Sequence, residues 1–298
     1  MTWRPRRLWA WPSELRRAGV LGINRRNAGL LMPLNPRALY PRVDDKAITK
    51  EICHARGVPT PQTYAIIRRF GEIAHLDRIL DNHSEFVIKP GRGAAGRGVL
   101  VIAGRNGQDL ATSSGSSLTL DDARYHVSSI LSGLYSLEGH ADCAIVEERI
   151  RPHPVFNGVC FGGTPDIRVI VCRFEPVMCM LRLPTRQSRG RANLHQGAVG
   201  AGVDMATGVT LGGVLASQPV DLAPDTGRPI AGVQIPSWPQ ILETATRLSR
   251  ALELGYVGVD IVLDERRGPV VLEANARPGL AIQTANRRGL LHALGLEA

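Results

Sequence analysis

The chain has 298 residues, 44% apolar and 21% charged, a mix that buries a sizeable core and excludes disordered, collagen-like and coiled-coil chains. No run reaches the roughly 18 uninterrupted apolar residues of a bilayer span, and the basic start lacks the apolar segment of a secretory signal. Five scattered cysteines (Cys53, Cys143, Cys160, Cys172, Cys179) form no CxxC pair, so a disulfide framework and a thiolate zinc cluster are disfavoured and a reducing cytoplasm is expected.

In chain order, residues 1–30 come first, with seven arginines against one acid and Trp3, Trp9 and Trp11 among them, which is six of the nine net positive charges. Such an arm can sit on an anionic membrane surface, on RNA or on an acidic protein; alternatively its indoles pack on the globule and its arginines stay solvated. A helix is signalled from about Asp45 to Arg56, capped by Asp44 or Asp45 and stopped by Gly57 and Pro59. Thr63 to Ile67 reads as a strand, and Gly71 to Leu80 as a short helix. Phe86 to Lys89 is a strand running into a glycine-rich turn, Gly91 to Gly98, and a second strand follows from Val99 to Ile102. Strand, turn, strand is a hairpin, unlike the strand-to-helix order of a Rossmann or P-loop unit. Gly104 to Ser117 is polar and reads as loop, and Asp121 to Leu131 as a helix.

The second half is strand-rich: Ala144 to Glu148, Asp166 to Val171, Pro176 to Leu183, Gly255 to Leu263 and Pro269 to Ala274. One helix interrupts it, with a capping box from Ser237 to Gln240, Pro239 in its first turn and an apolar stripe of Ile241, Leu242, Ala245, Leu248 and Leu252. The division expected is a short leading segment, a small lid to about residue 146 and a larger body.

Three features carry chemistry. Only three of the 36 cationic side chains are lysine (Lys46, Lys50, Lys89). Lysine offers a compact ammonium that a planar guanidinium does not, which singles out Lys46 and Lys89; chance in an arginine-biased chain is the plain alternative. Glu273 and Asn275 share one strand face, and Asp260 on the neighbouring strand can face the same way. Three oxygen donors among apolar residues suit Mg²⁺; otherwise they form an acid cluster paired with Arg277 or Arg287. Lys89 followed by four glycines in eight residues suits a phosphate, since glycine backbone N–H groups approach an anion closely. Together these describe a nucleoside triphosphate site. Val146 to Ile150 reads as a hinge whose backbone, through Glu148 and Ile150, and Glu147 carboxylate can hydrogen-bond an adenine edge.

These landmarks resemble the ATP-grasp superfamily, and more closely its RimK-like α-L-glutamate ligase branch. Asp44-Asp45-Lys46 with the helix ending Gly57-Val58-Pro59 resembles the first nucleotide lysine, and Val87-Ile88-Lys89-Pro90 with the loop containing Gly93, Gly96 and Gly98 resembles the second lysine and the phosphate flap. Asp166-Ile167-Arg168 and Arg191-Ala192-Asn193-Leu194-His195-Gln196-Gly197 resemble two further ligase signatures. Gly258-Val259-Asp260 and Glu273-Ala274-Asn275 resemble the metal-binding strands. Gly22 to Asn27, Asn35 to Arg37, Met180 to Thr185 and Gly279 to Gln283 resemble a sugar-transfer-associated bacterial subgroup.

The resemblance implies an α+β ATP-grasp fold, two α+β subdomains clasping ATP, with a reduced N-terminal domain. Its expected parts are a basic arm and truncated leading segment over 1–45, a lid over 46–146 and a body over 147–298. It implies an ADP-forming carboxylate–amine ligase that works through an acyl phosphate. ATP would be held by Lys46, Lys89, Glu147, Asp166, Arg191 and Asn193 under the flap. Mg²⁺, or Mn²⁺ in its place, would be held by Asp260, Glu273 and Asn275. Arg168, Arg182 and Arg277 are the candidates for the acyl phosphate and an acidic substrate, because a bidentate fork suits both. The substrate expected is an amino acid or other carboxylate, and the acceptor a peptide, carrier or envelope-linked amine, bound by the arm or by a partner copy in a homodimer. Two departures stand out: only 45 residues precede Lys46, and Gly258 stands where D-alanine ligases carry an arginine two residues before the metal Asp. The competing reading is an ATP-binding pseudoenzyme or docking module using its basic arm; a kinase that stops at phosphoryl transfer is a third.

Overall fold

Asp45 starts the first long helix, α1 (Lys46–Ala55), by accepting a hydrogen bond from Ala47 N at 2.9 Å, which satisfies one of the donors a helix start leaves open. The computed structural model describes residues 10–93, 96–107, 109–136 and 139–296. Trp3, Trp9 and three arginines of the arm, with Ala94 and Ala95 of the flap, lie outside the described residues.

Two antiparallel sheets organise the chain. The first contains β1 (Thr63–Ile67), β2 (Phe86–Pro90), β3 (Leu100–Asn106), β4 (Asp109–Thr112), β5 (Ser117–Leu118) and β6 (Ala144–Glu147), in the order β1-β6-β2-β3-β4-β5. Helix α2 (Leu120–Leu131), capped by Thr119 and Asp122, buries Ala123, Val127, Ile130 and Leu131 with Ile67, Phe86, Ile88 and Ile102 of this sheet. The stretch 104–117, read as loop, instead supplies the end of β3, all of β4 and the start of β5. These outer strands pair through the backbone and bury little besides Leu110, so their side chains carry no apolar alternation to reveal them.

The second sheet runs β11-β10-β9-β8-β7-β12-β13. Its strands are β7 (Asp166–Cys172), β8 (Glu175–Leu183), β9 (Val199–Val203), β10 (Thr210–Leu215), β11 (Gln218–Val220), β12 (Tyr256–Asp264) and β13 (Gly268–Asn275). Alternate residues of β7 face two different cores. Val169 and Val171 meet Ile241, Ala245 and Leu248 of α3 (Trp238–Leu252), while Ile170 and Cys172 meet the N-terminal segment and the C-terminal helices. The capping box expected at Ser237 does not form. Ser237 takes a left-handed φ of 56°, not the extended backbone a capping serine uses, and makes no side-chain cap bond. β9 to β11 were not expected. Their glycines admit the helix packed on them: a Cβ on Gly202 would stand 2.7 Å from Ala285 O.

From Leu21 onward the N-terminal segment belongs to the body. Leu21, Leu30 and Leu31 are buried with Ile170, Met178, Met180 and Tyr256, and the Asn35 amide bonds both Tyr256 N and Tyr256 O. The preceding helix, Pro12–Arg17, buries none of its residues. Helix α1 joins the two sheets, since Ala47 packs with Cys143 and Ile145 of the first, and Cys53 enters the core of the second. Among the described residues no helix is long and apolar enough to cross a membrane.

Candidate active site

The site forms where α1, the β2–β3 flap, the end of β6 and the β7–β8–β12–β13 face meet. Lys46, at the start of α1, donates from Nζ to Gly93 O of the flap at 2.6 Å and stands 3.7 Å from Glu273 Oε2 of β13. One turn later on the same face, Lys50 reaches Glu147 Oε2 at 2.9 Å and Pro61 O at 2.7 Å. Lys89 of β2 reaches the other oxygen of Glu147 at 2.5 Å. All three lysines of the chain therefore converge on two carboxylates. Burial alone would raise the Glu147 carboxyl, but Lys89 and then Lys50 hold it below its ordinary value. Burial lowers Lys50, with Glu147 opposing.

The flap is anchored at both ends. Arg92 N donates to both carboxylate oxygens of Asp142 at 3.0 Å, and His126 Nε2 sits 3.0 Å from Gly98 O. Gly98 takes φ 71° against the Tyr135 ring, where a Cβ would approach to 2.5 Å, so only glycine fits. Gly96 lies over the body: its Cβ position is 3.8 Å from Arg191 Cδ. Asn193 caps the following turn, accepting from His195 N at 2.9 Å.

On the body side four charged side chains form a ladder across three strands. Arg168 grips Asp260 with Nε at 2.7 Å and Nη2 at 2.6 Å. Arg182 bonds Asp166 with two nitrogens at 2.5 Å and extends Nη2 to Asp260 at 2.7 Å. Register dictates this: Asp260 lies opposite Arg168 and Asp166 opposite Arg182 in the antiparallel pairs. Burial acts first on both acids. Asp166 is raised, its Arg182 partner being offset by burial and by Asp260, while Asp260 is pulled down by Arg168 and Arg182. Arg168 and Arg182, expected to face substrate, are thus turned onto carboxylates, and the partners expected for the acid cluster, Arg277 and Arg287, are not the ones used. Arg277 is exposed and its guanidinium stacks 4.7 Å from the Tyr40 ring.

Glu273 lies directly opposite Asp260, and Asn275 opposite Gly258. Among the described residues no three His, Cys, Asp or Glu side chains form a metal cage. Asp260 offers about four lone-pair sites and accepts at three of them from arginine N–H groups, which leaves one on Oδ1. Glu273 and Asn275 are half-buried. Two carboxylates and an amide oxygen are the hard donors Mg²⁺ takes alongside water and phosphate, so the donor set fits that ion.

Beyond Glu147 the chain crosses between the sheets. Glu148 turns to Arg267 Nη1 at 2.5 Å and to Gln62 N at 3.2 Å, and Ile150 is half-buried at the crossing. Arg149 and Arg151 both pair with Glu85, the residue just before β2 of the first sheet, at 3.1 and 2.6 Å. This cross-link, like Lys50, was missed by sequence reading; the spacing of Lys46 and Lys50, one helical turn apart, was the signal available for the latter. Two cavities, of about 470 and 240 Å³, are present, the smaller at this crossing between the sheets. One is lined by Pro154, Val155, Val159, Arg228 and Val233, the other by Tyr64, His83, Glu85, Glu148, Arg149 and Arg151 among others.

Two sheets meeting at a lysine-lined flap and a paired-strand carboxylate site define the class, an ATP-grasp protein. The model of the sugar-transfer associated ATP-grasp family matches residues 25–296, and the chain belongs to that family. No curated protein matches it. Among solved structures it is similar to the ATP-grasp ligase PsnB complexed with a minimal precursor, at 12% identity and TM-score 0.47, covering 88% of this chain and 60% of that one. It is also similar to the D-cycloserine synthetase DcsG, at 15% identity and TM-score 0.49, covering 88% and 72%. A third is the D-alanine–D-alanine ligase of Bacillus anthracis, at 14% identity and TM-score 0.48, covering 87% and 67%. The chain thus spans about three fifths of the length of the first of these.

Proposed function

We propose that the protein is an ATP-dependent carboxylate–amine ligase that activates a substrate carboxylate as its acyl phosphate. The observation that carries this reading is the convergence of Lys46 on both the flap, at Gly93 O 2.6 Å away, and Glu273, at 3.7 Å. One ammonium touching a glycine flap and a hard-oxygen site is what a polyphosphate needs around it. Lys46 and Lys89 would neutralise phosphate oxygens of ATP. Asp260, Glu273 and Asn275 would hold Mg²⁺, which would supply charge neutralisation to the phosphates when bound.

The substrate carboxylate attacks the γ-phosphorus, ADP leaves, and an amine then displaces phosphate from the acyl carbon. The chain's work is positioning and exclusion of water. The flap, anchored by Asp142 and His126, covers the phosphates. Arg168 and Arg182 hold Asp260 and Asp166 in place, and the exposed Arg277 is the fork left for an acidic substrate. The acceptor class in this reading is an amine on a peptide, carrier or envelope-linked molecule.

The test is an ADP-release screen of amino acids and amines with Mg-ATP, followed by mass spectrometry of the products. Hydroxylamine trapping separates an acyl phosphate from simple phosphoryl transfer. Release of ADP that depends on both a carboxylate and an amine supports the ligase; a hydroxyl acceptor giving a phosphate ester sinks it. A second reading has one observation behind it: the helix Pro12–Arg17 buries nothing, and Trp11 and Leu15 are 58% and 43% exposed beside Arg16 and Arg17. A nucleotide-binding module that docks through this segment would bind Mg-ATP without turnover.

A further inference from the structure

Lys50 has no part in the nucleotide site outlined so far, yet it is as buried as Lys89, both side chains being 9% exposed. A buried ammonium is costly unless paired. Here the pairing is uneven, with two ammoniums on one carboxylate. Glu147, 4% exposed, receives Lys89 on Oε1 and Lys50 on Oε2. Lys50 is also tied to Pro61 O at 2.7 Å, whereas Lys89 has Glu147 as its ion-pair partner. Lys50 is therefore the fixed member, and Lys89 the one that can change partner.

We infer that Lys50 is a positioning residue that releases Lys89 to an incoming polyphosphate, because it keeps Glu147 compensated when Lys89 turns away. This rests on the nucleotide reading above. Without Lys50, a buried Glu147 would hold Lys89 as its sole counter-ion, and moving Lys89 to a phosphate would strand a carboxylate in an apolar setting. Lysine suits the exchange, being a point charge on a rotatable stem, where a guanidinium fork would stay locked to both oxygens.

The experiment measures Mg-ADP affinity by calorimetry for the wild type, Lys50→Met, Lys50→Arg, Glu147→Gln and the double variant Lys50→Met/Glu147→Gln. Lys50→Met should bind about tenfold or more weakly, on the scale of a hydrogen-bonded charge left without its partner. Lys50→Arg should recover most of that loss, and Glu147→Gln and the double variant should bind alike, since no carboxylate then competes for Lys89. Two results overturn the inference: wild-type affinity in Lys50→Met, or a double variant weaker than Glu147→Gln by the same factor that separates Lys50→Met from wild type. If Lys50→Met does not fold, Glu147→Gln and the double variant still decide: equal affinity supports the inference, and a double variant about tenfold or more weaker overturns it. A wild type that binds no Mg-ADP would instead overturn the nucleotide reading itself.

Discussion

The two buried charge clusters solve one problem in opposite ways. Near the flap, one carboxylate, Glu147, sits between two ammoniums, those of Lys50 and Lys89. In the body, two carboxylates, Asp166 and Asp260, are laced by the forks of Arg168 and Arg182. A guanidinium binds a carboxylate through two parallel N–H groups and fixes its plane, while an ammonium holds through one atom and can rotate to another acceptor. The difference divides the labour: the β7–β8–β12 ladder is a rigid floor, and Lys89 of β2, with Lys50 holding the shared carboxylate, is the cation free to change partner. It also explains why an arginine-rich chain keeps lysine at only three positions.

Breaking the ladder should have the largest effect. Asp260→Ala leaves Arg168 without a carboxylate and Arg182 with only Asp166, all in a site where Asp260 is 1% exposed. Removing one partner of a buried pair costs about 3–5 kcal/mol, so the urea midpoint should fall steeply; a midpoint like wild type would mean that the forks do not depend on Asp260. Next comes Glu273→Ala. Glu273 has one long ion pair, 3.7 Å to a Lys46 that is itself partly exposed, so the fold should survive. ATP turnover should drop by about 10²–10³, the scale for deleting one electrostatic contact to a reacting group. Unchanged turnover would remove Glu273 from the proposed metal site.

The outcome of these two substitutions is not visible in the sequence, where Asp260 and Glu273 look alike: single acids within apolar strands. What separates them is register. Asp260 lies opposite Arg168 of β7, 92 residues away in the chain, whereas the ion-pair alternative weighed from the sequence named only the nearer Arg277 and Arg287. The elements themselves were largely legible, because β2, β6, β7, β8, β12 and β13 are continuous apolar runs and α1 and α3 carry a 3.6-residue stripe. β9 and β10 escaped because Gly200, Gly202, Gly212 and Gly213 carry no apolar signal, and they pair anyway through backbone groups that need no side chain. Lys50 escaped because its spacing from Lys46 shows only a shared helix face; its burial and its counter-ion on β6 come from the packing of α1 against the first sheet.

Arg182→Lys sharpens the contrast between fork and point charge. Arg182 holds Asp166 with Nε and Nη2 at once and shares Nη2 with Asp260, and an ammonium in its place keeps the charge but loses the second, parallel bond. The cost should be about 1.5–3 kcal/mol, the range for a hydrogen bond to a charged group, read as a smaller loss of urea midpoint than Asp260→Ala gives. Equality with wild type would show that charge, not geometry, holds the ladder.

The smallest effect is a pH dependence, and its sign separates the two clusters. Burial pushes Glu147 upward, but Lys89 and Lys50 prevail and hold it below its ordinary 4.5. A carboxylate depressed in the folded state contributes stability that is present above the unfolded value and lost as pH falls through the folded one. Asp166 runs the other way: raised in the folded state by burial, then by Asp260 against the pull of Arg182, it contributes stability at low pH that is lost as pH rises through its folded value. Below 4.5 the wild type should therefore lose stability, because the unfolded chain takes up a proton on Glu147 that the folded state refuses. Glu147→Gln should flatten the profile there by at most one proton, about 1.4 kcal/mol per pH unit. Asp166→Asn should instead flatten it above pH 4, where the folded state alone holds the proton. Urea midpoints from pH 3 to pH 8 read both slopes, and a Glu147→Gln profile parallel to wild type would mean that the two ammoniums do not hold that carboxylate charged.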